Sequence, residues 1–133
     1  MDEINDRYYK GFEGEPEIQF IYTLDNEKKS ILKIWIGYFE TIMDAMITGE
    51  GELTGLVYYY SLHEGWYDES PWQIPNSSEA IEHFSKVRIE DLEQEVQQTL
   101  GDVIKVLPEV IKEIVIHLTK ARDLQEAVYI SYE

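Results

Sequence analysis

The sequence predicts an α+β fold: a small antiparallel sheet, made of an N-terminal hairpin and a C-terminal strand, with helices packed on one face. Three observations predict it. Apolar residues alternate with period two over 18–24, recur at helical spacing over 80–118, and return as a strand-like run over 128–132. No internal repeat and no linker divides the chain, so residues 1–133 are expected to form one acidic domain.

Residues 1–16 hold acids, glycines and few aliphatics, and are expected to be loose. Ile18, Phe20, Tyr22 and Leu24 then face one side of a first strand. Asp25, Asn26, Glu27, Lys28 and Lys29 have the composition of a turn. Residues 31–39 are β-branched and aromatic, which predicts a second strand and an antiparallel hairpin with a longer loop. Residues 40–48 fit a short strand or a helical turn equally. Gly49 and Gly51 then break the chain. Over 53–62, Val57, Tyr58, Tyr59 and Tyr60 favour strand, while Gly65 suits the stop of a short helix.

Residues 66–75 include two prolines and read as an irregular loop. Asn76 and Glu79 have capping-box spacing, and Ala80, Ile81, Phe84 and Val87 follow at helical intervals. Leu92, Val96, Leu100, Val103, Ile104 and Leu107 define a longer helix over 89–107. Its early acids Glu90, Asp91, Glu93 and Glu95 complement the helix dipole. Pro108 suits the first turn of a further helix, made amphipathic by Val110, Ile111, Ile114, Val115 and Leu118. Val128 to Tyr132 reads as the closing strand.

Charge is the strongest compositional signal. Eleven Lys and Arg face 27 Asp and Glu, a net charge of -16. Direct nucleic-acid binding is disfavoured, because phosphate contacts need Lys and Arg. Anionic membrane surfaces are disfavoured for the same reason. A basic protein partner is favoured, since complementary fields steer encounter. The distribution sharpens this. No Lys or Arg occurs over 34–85, where Glu40, Asp44, Glu50, Glu52, Glu64, Asp68, Glu69, Glu79 and Glu82 lie. A surface needing only solubility usually intersperses the signs.

Catalytic patterns are missing. There is no cysteine, which removes thiolate nucleophiles and thiolate metal sites and fits a reducing compartment. No Gly-x-Ser-x-Gly pattern occurs. Gly49, Gly51 and Gly55 do not make a phosphate loop, since Glu50 and Glu52 would repel the phosphate. His63 with Glu64, Asp68 and Glu69 matches no standard metal spacing. His83 and His117 sit in predicted helices, His83 beside an apolar face. Neither an enzyme nor a cofactor is expected. The N-terminus lacks the basic start and apolar run of a secretory signal, and no apolar stretch is long enough to span a bilayer. A cytoplasmic location is therefore expected.

Residues 58–72 stand apart, with six aromatics and three acids. Tyr and Trp concentrate at binding hot spots, because they bury large areas at low entropic cost. Tyr59, Glu64, Trp66, Tyr67, Asp68, Glu69 and Trp72 are the candidate partner-binding residues. The alternative is that Trp66 and Trp72 anchor the loop on the core and leave the acids solvated. Both hold together if the tryptophans point inward and the acids outward.

The run Gly65, Trp66, Tyr67, Asp68, Glu69, Ser70, Pro71, Trp72, Gln73, Ile74, with the small size and acidity, resembles immunity proteins of bacterial polymorphic-toxin and contact-dependent inhibition systems. The motif covers a small part of the chain. The resemblance tips 53–62 towards helix. It implies a cytoplasmic protein that binds a cognate basic toxin domain, often a nuclease, and blocks it by steric and electrostatic occlusion. The other reading is an acidic adaptor or regulatory protein with a different basic partner.

At a net charge of -16, self-repulsion opposes the compact state most at low ionic strength. Tm is expected to rise between low and moderate salt. Thermal unfolding followed by circular dichroism checks this, and a flat or falling Tm contradicts it.

Overall fold

A computed structural model describes residues 3–24, 28–48, 72–74, 77–87 and 102–132. In chain order the elements are β1 (Glu3–Tyr8), β2 (Glu17–Thr23), β3 (Lys29–Trp35), α1 (Ile36–Thr48), β4 (Trp72–Gln73), α2 (Ser77–Lys86), α3 (Asp102–Asp123) and β5 (Tyr129–Tyr132). The five strands form one sheet in the order β1-β3-β2-β5-β4. The α+β class is as the sequence predicts. The sheet is mixed rather than antiparallel, because β1 joins β3 in parallel.

The hairpin forms where the alternation places it. Ile18 pairs with Ile34 and Phe20 with Leu32, so each strand turns its buried set to the same face. The Leu24 N–H donates to the Lys28 carbonyl and narrows the mouth of the connection. The closing strand also arrives as expected. β5 pairs antiparallel with the other side of β2, with Phe20 opposite Ile130. β2 is thereby the middle strand.

Strand β3 ends sooner than its composition suggests. The expected strand over 31–39 stops at Trp35, and α1 takes in 36–48, including the ambiguous 40–48. Tyr38, Phe39, Ile42, Met43 and Ala45 are buried, a helical stripe that crosses the expected boundary. Packing of that stripe overrides the β propensity of Ile36, Tyr38 and Phe39. Gly37 permits the change of direction, because a Cβ there would lie 2.5 Å from the Trp35 indole.

The segment expected to be loose carries a strand and a hydrogen-bonded turn over its described residues. β1 occupies 3–8, and residues 9–15 make a compact turn. Gly11 and Gly14 adopt φ of +95° and +94°, which glycine reaches without strain. The Tyr9 hydroxyl donates to the Glu15 carbonyl at 2.7 Å. The ring of Phe12 stacks on Trp35 at 4.1 Å, and Tyr38 meets both edge-on. The glycines that suggest disorder are the residues this turn requires, and its anchor is aromatic rather than aliphatic.

The three described helices lie on one face of the sheet. The Phe20 ring contacts Phe39 of α1 and Phe84 of α2, and Tyr22 on the same face meets His117 of α3. α2 spans 77–86, with Ala80 and Phe84 buried as its spacing predicts. Its expected cap, Asn76, lies outside the described residues. In the expected loop over 66–75, Trp72 and Gln73 instead form β4 and pair with Ile130 and Tyr129. Of the expected helix over 89–107, residues 89–101 lie outside the described residues, as do 53–62. From Asp102 one helix runs through Pro108, which is internal rather than initial. Leu107, Val110, Ile114, His117, Leu118 and Ala121 are its buried stripe, and burial of that stripe outweighs the hydrogen bond that proline cannot donate. Among the described residues, no helix is long and apolar enough to cross a membrane.

α3 ends in a Schellman turn. The Glu126 N–H donates to the Ala121 carbonyl and the Gln125 N–H to the Arg122 carbonyl, both at 2.9 Å. Gln125 therefore sits at φ 59°, in the left-handed region. A side chain there costs ~1 kcal/mol relative to glycine. Gln125→Gly is expected to stabilise the fold by roughly 0.5–1 kcal/mol, measured by urea unfolding.

Candidate functional site

The sequence places its candidate site in 58–72. Tyr59, Glu64, Trp66, Tyr67, Asp68 and Glu69 lie outside the described residues. Trp72 is the first residue of β4, so the segment ends at the sheet edge formed by that strand.

The described residues form a cleft at the opposite edge. It has a volume of about 510 Å³ and lies between the β1 side of the sheet and the C-terminal half of α3. Its strand wall carries Glu3 and Asn5 from β1, Ser30 and Leu32 from β3, and Tyr22 from β2. These share a face because Glu3 pairs with Ser30 and Ser30 with Tyr22, while Asn5 pairs with Leu32. The helix wall carries Glu113, Ile116, His117, Lys120 and Asp123, a stripe at helical spacing beside the core stripe. Ile116 and Leu124 line it while remaining 38% and 52% exposed. They are two of the four large hydrophobics exposed among the described residues.

His117 closes the floor. It is buried, its ring lies 4.7 Å from that of Tyr22, and its Nε2 is 2.8 Å from the Phe20 carbonyl. A carbonyl only accepts, so Nε2 carries the proton and donates. Burial pushes the imidazole pKa down to about 4. The Phe20 hydrogen bond opposes that shift and the Lys120 charge adds to it. At neutral pH His117 is therefore an uncharged structural donor, with its N–H already committed to β2. The Tyr8 phenol, at the end of β1, is pushed up in pKa. Burial is the largest cause, and Glu113 and Glu109 of α3 add to it against Arg7. Acids of α3 thus act on the β1 side of the sheet.

Chemically the cleft offers three carboxylates, one ammonium, short polar groups and an aliphatic rim. Among the described residues no three His, Asp or Glu side chains gather as metal ligands. The arrangement suits binding. The sequence pattern does not reveal it because Glu3 and Asn5, the outer part of the strand wall, come from the segment read as loose. One signal was present: Ile116 and Leu124 lie off the buried stripe of α3, where solvent-facing polar residues are expected. The chain matches no family model, no curated protein and no solved structure.

His117 has its pKa lowered from 6.5 to about 4 on folding, so the unfolded chain takes up its proton first as pH falls. The stability linked to the neutral ring is present in full above pH 6.5 and is lost as pH falls from there towards 4. The loss at pH 4.5 is expected to be on the order of 2–3 kcal/mol. Urea unfolding of wild type and His117→Gln at pH 7.5 and 4.5 measures it. Wild type should lose more than the variant by about that amount.

Proposed function

We propose that this chain is an immunity protein, which binds a cognate basic toxin domain, with a nuclease the expected class, and blocks it without breaking any bond. The observation that carries the reading is the base-free stretch 34–85. Such a one-signed run presents an anionic field to a cationic cleft, and a nuclease cleft is cationic because its substrate is anionic. The aromatic and acidic residues of 58–72 supply hot-spot chemistry inside the same stretch. Local electrostatics in α1 add support. The Asp44 carboxyl is pushed up in pKa by desolvation and by Glu40 one turn earlier, and a cationic partner would relieve that repulsion.

The test starts from affinity isolation at low and moderate salt, followed by expression of the captured partner. One stoichiometric basic partner should survive moderate salt, arrest bacterial growth when expressed alone, and lose that effect when this chain is co-expressed. Substituting Glu64, Asp68 and Glu69 together by Lys should slow association at low salt by about tenfold or more and flatten its ionic-strength dependence. A harmless partner would make the protein an adaptor. Many basic proteins washing off together would remove the proposal.

A further inference from the structure

We infer that the cleft between β1 and α3 is a docking groove for an extended segment of a partner protein, one that alternates Lys or Arg with aliphatic residues and adds as a strand to the edge of β1 that no described strand pairs with. The inference is independent of what that partner does.

Among the described residues the sheet has two outer strands. β4 is two residues long and offers little to pair with, whereas β1 has six, of which Asp6 and Arg7 already use a carbonyl and an N–H on Tyr9, Lys10 and Asn5, leaving Glu3 to Asn5 to pair. An edge strand presents N–H and C=O groups that its single neighbour does not use, and these are a template for another chain. Native edges are commonly covered or charged. β1 carries Glu3, Asp6 and Arg7, so its edge resists apolar strands and selects by charge.

The side chains beside that edge define the occupant. Glu3, Glu113 and Asp123 line the cleft with Lys120, and Arg122 pairs with Asp123 at 3.5 Å, which leaves Glu3 and Glu113 as the carboxylates of the groove that face an incoming cation. His117 adds no charge at neutral pH, since its pKa is about 4. The field is anionic, as is that of the whole chain at -16. Yet Ile116 and Leu124 lie beside those carboxylates, each more than a third exposed. A long cationic side chain satisfies both features, with its methylene stem over Ile116 and its head at Glu113. Ile4 lies next to Glu3 along β1 and points to the other sheet face, with Ile31, Ile21 and Tyr129 in register across the strands. An added strand alternates in the same way. Its cations would face α3 and its aliphatic residues would extend the Ile4 row.

The probe is an eight-residue blocked peptide of alternating Lys and Val, titrated into the isotopically labelled protein. Its amide shifts should be largest over Glu3 to Arg7 and from Glu113 to Leu124, and its Kd should weaken as salt rises. Glu113→Lys should weaken binding by about tenfold, and Ile116→Ser by several-fold, with both variants keeping the wild-type spectrum elsewhere. A peptide N-methylated on alternate residues, unable to pair with an edge, should not bind. Equal binding of the methylated peptide, shifts centred away from β1 and α3, or no binding at millimolar peptide would each overturn the inference.

Discussion

Phe20 is the residue on which the arrangement depends. It sits in the middle strand, fully buried, with its ring against Phe39 of α1 and Phe84 of α2. Its carbonyl receives the His117 N–H from α3. One residue therefore ties every described helix to the sheet, two through the side chain and one through the backbone. The ring contacts are tilted or edge-on at about 6 Å, a geometry that contributes beyond area burial alone. The hydrogen bond to His117 does more to orient than to stabilise. Burying an imidazole costs enough to depress its pKa strongly, and the bond recovers only part of that. What it secures is the position of α3 over Tyr22, and with it the helix wall of the cleft.

The other dependence is aromatic and lies at the far end of β3. Trp35 is held between Phe12, Tyr38 and the bare backbone of Gly37. Its indole N–H is buried and meets no acceptor among the described residues, a cost of roughly 1–3 kcal/mol. The stack offsets that cost and pins the turn that returns the chain from β1 to β2. Without this clamp, β1 would have little to hold it. Tyr8 is its one buried side chain, and its pairing with β3 is interrupted between Asn5 and Tyr8. The edge that makes the cleft possible is thus held from outside the cleft.

The parts of the fold legible in the sequence are those where burial imposes a period. Ile18, Phe20 and Tyr22 alternate because one face of β2 is covered. Ala80 and Phe84, and Leu107 to Leu118, recur at helical spacing because one stripe of each helix is covered. The failures occur where burial is sparse or where two signals compete. β1 is mostly exposed, so it has no alternation to read. Ile36, Tyr38 and Phe39 have strand propensity and helical spacing at once, and the packing of α1 decides between them. Pro108 marks a helix start by local rule, but a buried stripe runs across it. The candidate segment 58–72 was chosen for composition, and of its seven named residues only Trp72 is placed, at a sheet edge. The cleft needed the parallel pairing of β1 with β3, which no local pattern encodes.

These constraints separate the core from the binding chemistry. The node at Phe20 fixes the three described helices on one face, which leaves the two edges of the described sheet outside the core. At one end, β4 holds the close of the aromatic and acidic segment against β5. At the other, β1 and α3 frame an anionic cleft with an aliphatic rim. Neither end contributes Phe20, Phe39 or Phe84, so charge and shape at the edges can change while the core stays the same. On the binding function proposed above, that division would let affinity and selectivity be set by side chains that carry little of the folding energy, and the excess of carboxylates they bring is compatible with the fold because the apolar node does not depend on them.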